Sequence, residues 1–121
     1  MLSATNLFNL IQNRNTAPDD VSKWESRLQP LKEKLPAAAT EIGYLADEDL
    51  RNGLPTNGEL VELYLTQYTL SPVIVRRGSD YAWIIGNFSA KNFAGWLKTT
   101  IGAYEIQDLG SGIYLIHRAK Q

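Results

Sequence analysis

Asp47, Glu48 and Asp49 form the densest group of chemically capable side chains in the chain. They follow an apolar stretch, residues 40–45, that reads as a short strand. Open α/β sheets take ligands beyond the carboxyl ends of their strands, so carboxylates there could offer oxygen ligands to Mg²⁺ or Ca²⁺. The spacing fits no calcium loop, and adjacent side chains do not converge on one ion. A solvated acidic loop is the plainer reading, and no metal is expected. A glycosidase pair would need a second acid across a cleft, and no pattern ties Glu59, Glu62 or Glu105 to this loop. Tyr64, Gln67 and Tyr68 share one helical face through i, i+3 and i, i+4 spacing. Tyrosines beside an amide suit a sugar or a peptide, although buried rings with satisfied hydroxyls explain them equally. Arg76 could grip a phosphate or carboxylate, and with Arg77 it could equally be a surface pair. The candidate ligand-binding set is therefore Asp47, Asp49, Tyr64, Gln67, Tyr68 and Arg76.

Much chemistry is excluded. The 121 residues contain no cysteine and a single histidine, His117. That removes disulfides, thiolate metal sites and cysteine catalysis. A lone histidine without a nucleophile motif reads as a structural imidazole. Neither glycine-rich phosphate loops nor a nucleophile elbow occurs, so no catalytic residue and no cofactor is expected. A formal net charge of −1 gives no electrostatic footprint for nucleic acid. Asn87-Phe88-Ser89 matches a glycosylation acceptor, at a frequency that chance supplies.

The elements that would position these residues follow from periodicity. Residues 1–17 read as a lead segment whose Leu7, Phe8 and Ile11 could pack on the domain or flank a membrane anchor. They do not read as a signal peptide, because no basic residue precedes the apolar stretch. Thr16 can cap a helix with Pro18 in its first turn. Val21, Trp24, Leu28, Leu31 and Leu35 then mark a helical stripe, which Pro30 is expected to kink or split near Gln29. After the acidic loop, Thr56 and Glu59 form a capping-box pattern ahead of a largely apolar helix that Pro72 ends. Val73-Ile74-Val75 reads as a central strand buried on both faces, ended by Arg76 and Arg77. Residues 81–88 form the next strand, in which Gly86 marks a bulge or a close approach. Ser89 is expected to cap a third helix with Phe93, Trp96, Leu97 and Ile101 on one face, leaving through Gly102. Two last strands, 104–109 and 113–118, are joined by a Gly110-Ser111-Gly112 hairpin. The order α-β-α-β-β-α-β-β predicts an α/β (α+β mixed) fold. It has about five strands in a mixed sheet and three helices, in a single domain over 18–121. No stretch is long and apolar enough to span a bilayer.

Four phrases carry a resemblance: Ile42-Gly43-Tyr44-Leu45-Ala46-Asp47, the run from Tyr64 to Val73, Ile85-Gly86-Asn87-Phe88, and the run from Gly110 to Ile116. Together they resemble the soluble C-terminal portion of bacterial multi-spanning, glycosyltransferase-like membrane proteins of the type that uses lipid-linked sugars. The resemblance covers about residues 20–120, and its most distinctive part is Tyr64-x-x-x-Tyr68-x-Leu70-x-Pro72. It implies a soluble domain on the extracytoplasmic side, with the membrane part of a parent protein as partner and the chemistry residing there.

Two readings follow. One is a non-catalytic accessory or interaction domain of a membrane-associated protein. The other is a small-ligand or sugar-binding α/β domain, taking a sugar or phosphate near the acidic loop. A cleft collecting Asp47, Asp49, Tyr64 and Arg76 would favour the second.

Overall fold

The computed structural model describes residues 18–119; the lead segment and Thr16 lie outside them. The elements are α1 (Pro18–Lys34), β1 (Glu41–Ala46), α2 (Asp47–Arg51), α3 (Asn57–Leu70), β2 (Ile74–Arg77), β3 (Trp83–Asn87), α4 (Ala94–Ile101), β4 (Tyr104–Asp108) and β5 (Ile113–Arg118). The five strands form one mixed sheet in the order β2-β1-β3-β5-β4. β1 is parallel to both neighbours, and β3, β5 and β4 pair antiparallel.

Strand alternation sends side chains to two apolar layers. Ile42, Tyr44, Val75, Ile85, Ile113 and Leu115 meet Trp24, Leu28 and Leu31 of α1 and Val61, Leu65 and Leu70 of α3. On the opposite face Leu45, Ile84, Tyr114 and Ile116 meet Phe88, Phe93, and Leu97 and Ile101 of α4. Phe88 stacks on Phe93 with ring centroids 4.5 Å apart, and Tyr114 meets Phe93 edge-on at 4.8 Å.

The crossover from β2 to β3 explains a glycine. Parallel strands ordinarily need a dozen or more residues between them, and here residues 78–82 suffice. The register makes this possible. Arg77 stands level with Tyr44 and Ile84 with Gly43, so the chain has little strand length to retrace. It crosses β1 on the α4 face, where the Gly78 amide donates to the Tyr44 carbonyl at 3.0 Å. A Cβ on Gly43 would collide with the Gly78 carbonyl oxygen and lie 2.8 Å from the Tyr81 ring. From β5, Arg118 Nη1 holds the crossover by donating to the Ser79 carbonyl at 3.0 Å.

Several expectations are corrected. Pro30 does not split α1, which runs unbroken through it. Leu28 and Leu31 on either side of it are both fully buried in the same layer, and that burial holds the helix together despite one lost backbone bond. β2 is an edge strand rather than a central one. Arg76 and Arg77 lie within it, and Val75 is its one fully buried residue. β3 begins at Trp83, because the preceding residues are consumed by the crossover. α4 begins at Ala94, so Ser89 does not cap it. Gly86 forms no bulge; its close approach is to the Phe88 ring, 2.7 Å from where a Cβ would stand.

The acidic loop is a short helix, which makes four helices among the described residues instead of three. Acidic side chains suit a helix N-terminus, and Asp49 Oδ2 accepts the Ala46 N–H at 2.8 Å. Asn52 ends α2 in the left-handed region at φ 52°. As expected, Thr56 and Glu59 form a capping box for α3. Arg51 of α2 grips the Glu59 carboxylate at 2.7 and 3.1 Å. The Arg51 bonds and the Thr56 amide hold the Glu59 carboxyl down at about 2.

Two expected outcomes follow from this packing. Gly43→Ala should lose about 1–3 kcal/mol by overpacking. Gly95→Ala, in open space within α4, should gain roughly 0.5–1 kcal/mol; urea denaturation of both variants separates the two effects. The Glu59 carboxyl ionises more readily in the folded chain than in the unfolded one. Its stabilising contribution is therefore complete above the ordinary carboxylate range and disappears as pH falls toward about 2. An acid titration of melting temperature should show a shallower acid limb for Glu59→Gln than for the parent chain.

Candidate functional site

Beyond the carboxyl ends of β1 and β3, the chain opens into a cleft of about 370 Å³. Its polar wall comes from Arg27 of α1, Asp47 of α2, Glu62 of α3, Asn87 and Ser89 at the end of β3, and Lys91 beyond it. Asp108 and the Gly110-Ser111-Gly112 turn close the far side, and Phe88 and Tyr114 supply the apolar part.

Each wall is fixed from within the fold. Ser89 donates to Asp47 through its amide at 3.0 and 3.2 Å and through its hydroxyl at 2.6 Å, so the ends of β1 and β3 are tied together. Arg27 lies over the Trp24 ring at 4.3 Å, and its Nη2 donates to the Ser111 carbonyl at 2.6 Å. The hairpin turn has positive φ at Gly110, Ser111 and Gly112. A side chain on Gly112 would lie 2.8 Å from the Phe88 carbonyl oxygen, so glycine is what lets the turn close against β3. The Phe88 amide donates to the Gly112 carbonyl at 2.9 Å.

Beneath the cleft a polar chain enters the core. Asn87 Nδ2 donates to Tyr44 Oη at 3.0 Å and to Glu62 Oε1 at 3.1 Å. Tyr44 is fully buried, and burial raises its phenol above the ordinary range despite the Asn87 bond. Burial likewise raises the Glu62 carboxyl, against the opposing Asn87 bond and the nearby Arg27 charge. A half-buried carboxyl with raised proton affinity at a cleft marks a functional candidate, although polar networks in cores produce the same shift.

The residues expected from sequence are dispersed. Asp47 lines the cleft. Asp49 faces another depression, with Glu48 and Trp96. Its Oδ2 is 3.7 Å from Arg77, which pairs at 2.9 Å with the buried Glu48. Tyr64 packs against the core. Gln67 Nε2 donates to the Val75 carbonyl at 3.0 Å, anchoring α3 to β2. Tyr68 is exposed on α3. Arg76 reaches Glu41 at 3.2 Å on the surface. The expected joint site is thus not assembled; Asp47 alone of the set belongs to the cleft. His117 stacks on Trp83, with centroids 4.0 Å apart and planes 8° from parallel. Among the described residues no cluster of His, Cys, Asp and Glu could hold a metal ion.

Sequence reasoning missed Arg27, Glu62, Ser89 and Lys91 as cleft residues. Arg27 reads as the wet side of an amphipathic helix, and Lys91 carries no local signal. Asn87 stands in a glycosylation acceptor pattern, yet its side chain is buried and doubly bonded.

No protein-family model, no curated protein and no solved structure matches this chain. The fold and cleft define an α/β domain whose polar site lies at the carboxyl ends of parallel strands.

Removing the amide at Asn87 leaves the Tyr44 hydroxyl buried without its donor. Asn87→Ala should cost about 1–3 kcal/mol, measured by chemical denaturation, with Ser89→Ala as the milder comparison at the cleft rim.

Proposed function

We propose that the chain is a non-catalytic binding domain that takes a small polar ligand, such as a sugar or a phosphate-bearing sugar, in the cleft beyond β1 and β3. The observation that carries this reading is the convergence of side chains from α1, α2, α3, the end of β3 and the β4–β5 turn on one cleft. The position agrees with the rule for open α/β sheets, and the volume suits a small molecule. Cationic Arg27 and Lys91, acidic Glu62 and Asp108, and neutral Asn87, Ser89 and Ser111 together offer donors and acceptors in both signs. That mixture fits hydroxyl-rich ligands better than apolar ones. The Asp47 carboxylate is engaged by Ser89 and the Glu62 carboxylate by Asn87, so both stand as fixed acceptors in the cleft wall.

The resemblance described above supports a setting for this domain. It would be the accessory part of a membrane-associated protein, on the extracytoplasmic side, with the membrane part as its partner. No helix of the described residues is long and apolar enough to cross a membrane.

The test is an amide chemical-shift titration with a hexose, a hexuronate and inorganic phosphate. Shifts confined to residues 87–91 and 110–112, weakened several-fold in Lys91→Ala, are expected for at least one probe. No perturbation by any probe at tens of millimolar would remove the cleft from consideration. The full-length gene product should fractionate with membranes; recovery in the soluble fraction would remove the membrane setting.

A further inference from the structure

Among the described residues the sheet has two edge strands, β2 and β4. On β4 the pairing with β5 decides which backbone groups are free. The Leu109 amide donates to Ile113 and the Ala119 amide to Ala103, both at 2.9 Å. Between these bonds the register sets Glu105 opposite His117 and Gln107 opposite Leu115. Antiparallel ladders alternate bonded and non-bonded pairs. Residues 103, 105, 107 and 109 therefore bond inward to β5, and the N–H and C=O groups of Tyr104, Ile106 and Asp108 point out of the sheet.

We propose that β4 is a homodimerisation edge, on which a second copy of this chain pairs antiparallel about a two-fold axis at Ile106. The geometry is self-complementary. Centring on Ile106 sets an outward-facing residue opposite its own twin, which makes a bonded pair. Tyr104 and Asp108 of the two copies then form the flanking bonded pairs. Glu105 of each copy stands opposite Gln107 of the other, so no acid directly faces an acid. Among the described residues Ile106 is one of three large hydrophobic side chains left exposed, at 39%, and this register covers it with a second isoleucine. Edges are usually blocked by proline, by charged side chains, lysine above all, or by a bulge. Tyr104–Asp108 has no proline or lysine, its two acids face Gln107 and Tyr104 of the other copy in this register, and its pairing with β5 is uninterrupted. β2 does not offer the same fit. It is one residue shorter than β4, and two of its four residues are Arg76 and Arg77, so self-pairing would gather four cations on one short ladder.

A five-residue ladder alone covers less than the roughly 1,200 Å² of a stable interface. The dimer is accordingly weak, half-formed at about 0.1–1 mM. The register can be tested cleanly because the chain has no cysteine. Positions 105 and 107 of opposite copies form a non-bonded pair with Cα atoms about 4.5 Å apart, within disulfide reach. Glu105→Cys and Gln107→Cys chains are mixed at 1 mM under mild oxidation. A covalent dimer between the two variants is expected at least tenfold above that formed by either variant alone. Sedimentation of the parent chain should show a dimer that grows with concentration and is lost in Ile106→Lys, whose melting curve checks that it folds. A parent chain that stays monomeric at 1 mM would overturn the proposal, including where the edge instead accepts a strand from a different protein. Equal cross-linking in the mixed and single-variant samples would overturn it too.

Discussion

The crossing of β1 by residues 78–82 is the constraint on which the rest of the sheet depends. It puts β2 and β3 on opposite sides of β1 without a helix between them, and so makes β1 the strand with parallel neighbours on both sides. The crossing is possible only because Gly43 leaves room for the Gly78 carbonyl and the Tyr81 ring. Because the connection lies on the α4 face, the opposite face of β1 stays free for α1 and α3. Once β1 and β3 are parallel neighbours, their carboxyl ends lie side by side, and Asp47 can reach Ser89.

A second organising feature is the polar chain from the core to the cleft. Tyr44 lies in the layer between the sheet and α1 with α3, where an unpaired hydroxyl would be costly. Asn87 answers it and also fixes Glu62 at the cleft. Trp24 Nε1 and Thr66 Oγ1 meet at 3.2 Å in the same buried layer, with the Thr66 hydroxyl also donating to the Glu62 carbonyl at 2.8 Å. Glu62 is thus held at its side chain from β3 and at its backbone from α3. Its position belongs to the packing of the core.

The elements with strong local signals were legible in the sequence. The stripe from Trp24 to Leu35, the Thr56–Glu59 box, the Gly102 exit and the Gly110-Ser111-Gly112 hairpin all rest on neighbours within a few residues. The five-stranded mixed sheet followed from them. Placement across the sheet was not legible in the same way. Val73-Ile74-Val75 is as β-branched as a central strand, and only the short crossover sends it to the edge. The site was legible at Asp47 alone. Arg27 and Ser111 meet across 84 positions of sequence, and Ser89 finds Asp47 across 42, distances at which local pattern carries no information. Asp49, Gln67 and Arg76 are the kinds of residue a site uses, but capping, helix anchoring and ion pairing use the same chemistry.

β5 joins the structure in an order that bears on synthesis. It leaves the ribosome after the other four described strands, yet it lies between β3 and β4 and provides Ile113, Tyr114, Leu115 and Ile116 to the two apolar layers. Until it emerges, β3 has a bare flank, and Phe88 and Phe93 lack the Tyr114 ring that covers them. A nascent chain halted before residue 113 therefore has an unfinished sheet and no cleft. The cleft takes shape only with this turn and strand, after the rest of the described sheet has been made.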